Sequence, residues 1–225
     1  MTGPARGSAP RRPVLFASAC GGAFALLTAA VAVHGWTAFG FEAAAVRWGV
    51  THRPPTARAL AIAVTALGTY VFPYLLALAA GAVSVRSRRP AGSRRRAVVL
   101  LAPAAWLAAG QVLRQALMHG LARPRPPAAG WAFDASAFSF PSGHAFTSAL
   151  SAGLLAVAVA RARPSATRAA TTAAVLFAAV IGFTRVYLGV HWPLDVLGGW
   201  LLAGCWLALG VCLLPKLPAG PGAPN

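Results

Sequence analysis

Long apolar runs separated by short polar links set the pattern of the chain, and the runs are close to the length that carries a helix across the hydrocarbon core of a bilayer. Six helices are predicted, over about 14–33, 59–85, 97–117, 145–160, 169–184 and 193–214. The expected fold class is all-α, a bundle of six transmembrane helices in one domain over 14–214, with a motif-bearing core at about 97–213. Residues 1–13, with Arg6, Arg11, Arg12 and three prolines, are expected to be a disordered basic tail, and the Pro/Gly-rich residues 215–225 a flexible end. The first run also has the outline of a secretory signal, with a basic start and small residues near Ala30 and Ala32; its length favours a retained helix. Pro73 predicts a kink in the second run. Between the two, 34–58 carries Trp36, Phe39, Phe41, Glu42, Arg47 and Trp48, a mix that suits a short helix at headgroup level or a solvated loop with aromatic anchors.

The charged links orient the bundle. Six Arg between Arg86 and Arg96, and then Arg161, Arg163 and Arg168, fill two links in the way membrane proteins carry their cytoplasmic positive charge. With the N- and C-termini on that same side, the expectation is a multi-pass protein of a cell membrane. Parity then puts the link that ends at His144 and the link from Arg185 to Asp195 together on the outer face, where they can build one site.

Composition sharpens this picture. Of 225 residues, 58% are hydrophobic and only 10% charged, with a mean hydropathy of +0.65, which excludes an ordinary soluble domain. The net charge of +17 sets 19 Arg and one Lys against Glu42, Asp134 and Asp195. Such an excess would suit nucleic acid, but its confinement to the links argues against that partner. Cys20, Cys205 and Cys212 lie inside apolar runs without paired spacing, as small hydrophobes rather than ligands. The Ala- and Arg-rich composition fits a bacterial source.

Candidate chemistry is concentrated in two stretches. Arg185 to Asp195 places a guanidinium, the imidazole of His191 and a carboxylate within eleven residues. Pro193 suits the first turn of a helix, so His191 is expected at its mouth, with Asp195 reaching back to fix the ring's tautomer and stabilise its imidazolium. Arg185 can grip two phosphate oxygens at once. In the other stretch, Ser142-Gly143-His144 opens a helix: a capping hydroxyl, a residue that lets a ligand approach the backbone, and free N–H groups that favour an anion. With Arg123 and Arg125 on the same face, two histidines among phosphate donors suggest that one attacks phosphorus and the other protonates the leaving oxygen.

These residues resemble the motifs of the type 2 phosphatidic acid phosphatase superfamily, integral-membrane lipid phosphatases with Lys-x6-Arg-Pro, Pro-Ser-Gly-His and Ser-Arg-x5-His-x3-Asp. The second stands as Pro141-Ser142-Gly143-His144 and the third as Thr184-Arg185-x5-His191-x3-Asp195, with Thr for Ser. Of the first, Arg125-Pro126 is present, but Met118 stands where the resemblance expects Lys, leaving Arg114 or Arg123 to supply the charge. The resemblance implies His191 as nucleophile, Asp195 as its orienting partner and His144 as general acid. Arg125, Arg185, Ser142 and the Gly143 backbone would hold the phosphoryl oxygens, with Arg123 a further phosphate ligand. It implies no metal and no cofactor, and a lipid phosphate or diphosphate as substrate, of the undecaprenyl diphosphate, phosphatidic acid or phosphatidylglycerol phosphate type. Two alternatives stay open: a weakened lipid-phosphate binder or transporter, and a phosphotransferase working through the same phosphohistidine.

Overall fold

The structure, a computed structural model, describes residues 11–89 and 91–213, so the expectations for 1–10 and 214–225 lie outside the described residues. Its elements are α1 (Arg11–Val33), α2 (Gly40–Thr51), α3 (Pro55–Ala66), α4 (Val71–Arg88), α5 (Ser93–Leu121), α6 (Gly143–Ala162), α7 (Thr167–Tyr187) and α8 (Pro193–Leu213), with single 3-10 turns at Ala128–Gly130 and Pro164–Ala166. No strand occurs among the described residues. Five segments, α1, α5, α6, α7 with the turn before it, and α8, are long and apolar enough to cross a membrane; α3 and α4 add a sixth if that bent pair is one span. Helix α1 starts at Arg11, three residues earlier than the first helix was expected to begin.

The bend of the second run lies elsewhere than expected. Helices α3 and α4 meet at 44° across residues 67–70, where Tyr70 takes a left-handed φ of 54°. Pro73 sits in the first turn of α4, where its missing N–H breaks no helical bond. The break matters to the site, because it leaves the Gly68 carbonyl free to accept from Thr147 on α6 and sets the Thr65 hydroxyl beneath Arg185.

Helix α6 is central, flanked by α4, α5, α7 and α8. Phe146 and Leu150 are fully buried with Leu107, Ala77 and Ala203, while Leu26, Val112, Val175 and Leu197 face outward as lipid-facing residues do. Without water to drive helices together, such a bundle is held by close backbone approach at small residues. At Gly81 a Cβ would fall 2.0 Å from the Leu100 carbonyl oxygen, so α4 and α5 touch there through the main chain. Helices α5 and α8 meet differently. The Trp106 and Trp206 rings stack 4.6 Å apart, and each indole N–H donates to the other's backbone carbonyl, at 3.1 and 3.0 Å. Gly110 and Gly210, one turn beyond each Trp, leave room for the opposite ring.

At the other end of the bundle, arginines tie the connecting loops down. Arg53 donates to the carbonyls of Tyr187 and Gly130, and Arg58 to that of Ala132, pairing backbone oxygens that the 3-10 turn and the end of α7 would otherwise leave open. Tyr187 donates its hydroxyl to the His52 carbonyl, and Trp192 its indole N–H to that of Pro124.

Candidate active site

The turn from α7 to α8 is built by two local signals. Helix α7 closes on Gly189, whose φ of +76° is the left-handed value such an ending requires. The Gly189 N–H bonds to Val186 and the Val190 N–H to Arg185, the paired closure of a helix that ends on glycine. Helix α8 opens on Pro193, and Asp195 in its first turn turns back to accept from the Trp192 N–H at 2.8 Å. His191 is thereby fixed between two helix ends, with only 3% of its side chain exposed.

Its two nitrogens have different neighbours. Nε2 lies 3.1 Å from the Arg125 guanidinium, which has no lone pair, so Nε2 is the acceptor and the ring proton belongs on Nδ1. Nδ1 faces the Asp195 Oδ2 at 3.4 Å. Burial holds the imidazole well below its usual pKa, with Arg125 and Arg185 adding to the effect and the Ser139 backbone opposing it. The ring is therefore neutral, and its Nε2 lone pair is the one turned away from the carboxylate. Arg125 is set by carbonyls, donating to Val190 at 2.8 Å and Ser136 at 2.9 Å; burial also lowers its own pKa, against the pull of Asp195.

Both His191 and His144 line one cavity of about 250 Å³, with Arg114, Arg125, Arg185, Gly143 and the exposed Asp134 also on its wall. His144 is in the first turn of α6, and its Nε2 is buried without a protein partner. Arg185 comes from the last turn of α7; it donates to Thr65 at 3.1 Å, stacks over Phe133 at 5.2 Å, and keeps an unpaired buried Nε. Arg114 reaches in from α5, donating to the Met118 sulfur at 3.2 Å and to Gln115. Its guanidinium carbon lies 3.3 Å from where a Cβ on Gly143 would be, so the absent side chain is what lets this cation lie on the start of α6. Three guanidiniums and a helix N-terminus around two imidazoles make a strongly anion-attracting pocket. Unpaired donors in it suit the acceptor oxygens of a phosphoryl group.

The helix starts that carry the two histidines are joined through the main chain. Ser142 occupies the N-cap of α6 and donates its N–H to the Asp195 carbonyl at 3.0 Å, while Gly199 on α8 lies directly against the Ser142 carbonyl. The Ser142 hydroxyl, expected to cap the helix, makes no capping bond and is buried without a partner.

Arg123 does not stand where the sequence suggests. It was expected to hold phosphate, yet its side chain is fully buried and bonded to Asp195 Oδ1 at 2.7 Å, to Glu42 Oε2 at 2.7 Å, and to the Thr37 carbonyl at 3.2 Å. Its guanidinium is spent on carboxylates behind the cavity. Glu42 is the residue the sequence reading missed. Grouped with aromatic anchors of a headgroup-level helix, it is wholly buried in the first turn of α2, where it accepts from the Phe39 and Leu194 N–H groups, both at 3.0 Å. The one available signal was that it is the chain's single glutamate, in a stretch otherwise short of acid.

An all-helical, multi-pass membrane protein with a cationic, histidine-bearing pocket at one end of its bundle is the class these features define. Residues 99–218 match the model of the PAP2 superfamily, and the chain belongs to that family. The crystal structure of a transmembrane PAP2 type phosphatidylglycerolphosphate phosphatase from Bacillus subtilis superposes with a TM-score of 0.74 at 26% identity, covering 90% of this chain and 98% of that one. Among curated proteins, an undecaprenyl-diphosphatase of Sulfolobus acidocaldarius is 37% identical over 71 residues, 32% of this chain and 31% of that protein. Phosphatidylglycerophosphatase B of Bacillus subtilis is 34% identical over 95 residues, 41% and 46% of the two chains. The putative undecaprenyl-diphosphatase YbjG of Escherichia coli is 50% identical over 50 residues, 19% and 25%. The aligned stretches thus span less than half the length of these curated relatives.

Proposed function

We propose that the protein is a metal-independent lipid phosphatase that works through a phosphohistidine. The observation that carries this reading is the setting of His191: Nε2 held by Arg125 inside a pocket shared with His144, Nδ1 turned to Asp195. Nε2 attacks phosphorus; the N–P bond forms as the P–O bond to the leaving group breaks, and His144 gives that oxygen a proton. Water then attacks the phosphohistidine, its proton passing to His144, and inorganic phosphate leaves with His191 restored. Arg125, Arg185, the Ser142 hydroxyl and the Gly143 N–H hold the phosphoryl oxygens and stabilise the charge that develops on them. Arg114 takes the place that Met118 leaves empty of charge. In this reading the bundle has six spans, with the bent α3–α4 pair as one of them. Both termini are cytoplasmic and the pocket opens at the outer face of a bacterial membrane. The substrate is a lipid phosphomonoester or diphosphate, for which the undecaprenyl-diphosphatase and phosphatidylglycerophosphatase relatives give two head-group types.

The test is phosphate release by purified protein in detergent with EDTA, from undecaprenyl diphosphate, phosphatidic acid and phosphatidylglycerol phosphate, beside His191→Ala. Release from one of them that survives the chelator and vanishes in the variant supports the proposal and names the lipid. Release that stops with EDTA refutes metal independence. Folded protein that releases nothing points to a lipid-phosphate binder. Transfer of the phosphoryl group to an added alcohol in place of water points to a phosphotransferase.

A further inference from the structure

Behind His191, away from the cavity, lies a closed group of three charges. Arg123 is shared between two carboxylates, Glu42 and Asp195, and all three side chains are fully buried. Two negative charges against one positive leave the group with a net charge of about −1 by simple count. Were Arg123 paired with Asp195 alone, the two would cancel, and His191 would face a neutral pair. Glu42 therefore changes what the imidazole sees without touching it. It also fixes where Asp195 is: Oε1 accepts from the Leu194 N–H, one residue before Asp195, and Oε2 accepts from the Phe39 N–H at the start of α2. One carboxylate thus satisfies a free donor on each of two helix starts.

We infer that Glu42 is a positioning residue of the reaction: by sharing Arg123 it leaves Asp195 with its negative charge uncancelled, so that the carboxylate makes the neutral His191 ring more electron-rich and its Nε2 a better nucleophile. The inference rests on His191 being the nucleophile. The groups that bear on its charge are Asp195, Glu42 and Arg123 behind it, and Arg125, Arg185, Arg114 and His144 on the cavity side, with the Asp134 carboxylate on the cavity wall. Against the cations in front, the net charge behind is the counterweight. Removing one unit of it across a few bonded groups, at the effective dielectric of such sites, shifts a titration by about one pH unit.

The sign follows from the chemistry. His191 must be unprotonated to attack, so its protonation sets the acid limb of kcat in the phosphate-bound enzyme. Glu42→Gln removes a negative charge, lowers the His191 pKa and moves that limb to lower pH by about one unit, while the plateau falls because a less basic nitrogen attacks more slowly. Glu42→Gln with Arg123→Gln removes one charge of each sign. The group then returns to a net charge of about −1, and the limb returns toward its parental position.

The experiment is the pH dependence of kcat and KM for the parent, Glu42→Gln and the double variant in detergent, with folding checked by size exclusion and circular dichroism. Nitrogen NMR of histidine-labelled protein reports the His191 titration directly, so an activity too low to profile does not end the test. The result expected is a downward limb in Glu42→Gln that the double variant reverses, with KM little changed. Unmoved limbs and ring titration in folded Glu42→Gln, or a double variant displaced at least as far as the single, overturn the inference and leave Glu42 as scaffolding. An active His191→Ala control would instead overturn the nucleophile itself.

Discussion

Replacement of Gly199 by alanine tests how closely the two histidines depend on the contact between their helices. A Cβ at Gly199 would lie 2.7 Å from the Ser142 carbonyl oxygen, 2.9 Å from the Ala145 Cβ and 3.1 Å from the Phe146 nitrogen. None of these is the loose end of a side chain. Two are backbone atoms of the first turn of α6, where the Phe146 N–H bonds to that same Ser142 carbonyl. The shortest contact falls about 0.7 Å below the 3.4 Å at which ordinary contact begins, so α8 must back away from α6 by roughly that much. Because α8 carries Asp195 and the turn that carries His191, the nucleophile retreats from His144 with it. A misplacement near 1 Å lowers turnover by up to about 10²-fold, so a fall in kcat on the order of ten- to a hundredfold is expected, with about 1–3 kcal/mol lost from overpacking. The assay is initial-rate phosphate release in detergent, with kcat and KM separated and the folded fraction measured by size exclusion. Gly22→Ala is the control, since a Cβ there meets nothing within 4 Å. A folded Gly199→Ala protein with kcat within about twofold of the parent would falsify the claim that this backbone contact sets the reacting geometry.

Three other outcomes follow from the site and the core. Arg114→Gln should lower kcat on the order of 10²–10³-fold, as removal of a donor at a developing charge does, whereas Met118→Lys in the parent should bring no gain because the cation is already supplied; phosphate release from the two variants checks both. Thermal stability in detergent should fall as pH drops below about 6.5. The His191 pKa is depressed in the folded protein, so the unfolded chain binds the extra proton first; stability is full above that pH and is lost on the way down toward the folded value. His191→Asn should flatten the slope, and an unchanged slope would refute the assignment to this ring. Gly110→Ala pushes a Cβ to 2.7 Å from the Trp206 ring and should lower the melting temperature by the equivalent of about 1–3 kcal/mol, while the pH profile of activity keeps its shape.

The local part of the site is legible in the sequence because its geometry is local. Pro193, Asp195 and His191 lie within one turn of each other, and helix-start chemistry alone puts carboxylate and imidazole side by side. Ser142-Gly143-His144 likewise opens α6 as expected, although the hydroxyl does not cap it. What failed to show was set by partners far along the chain. Arg123 has two acidic partners, 72 and 81 residues away, and nothing in a run of loop residues tells a cation held by carboxylates from one facing phosphate. Glu42 fits a headgroup-level helix by every local criterion until its burial is known. The kink expected at Pro73 moved to residues 67–70 because proline is harmless in a first turn, and the helix end at Ala66, seven residues upstream of it, is followed by no strong breaker except Gly68. Arg114 was legible as a candidate substitute, but its route to α6 required knowing that Gly143 leaves the space.

The Trp106–Trp206 pair has a consequence for depth. Each helix contributes the same short pattern, a tryptophan with a glycine four residues on, and the two copies face each other head to tail. The contact behaves as a two-toothed key: sliding α8 along α5 by one residue breaks both hydrogen bonds and both glycine pockets together, so no intermediate register is held. Arg114 stands eight residues beyond Trp106, about 12 Å along α5, and Asp195 eleven residues before Trp206, about 16 Å along α8 in the same direction. The key thus fixes the level of Arg114 on α5 relative to the α8 start that sets His191, and with it the height above the bundle's middle at which a phosphate group would have to be presented.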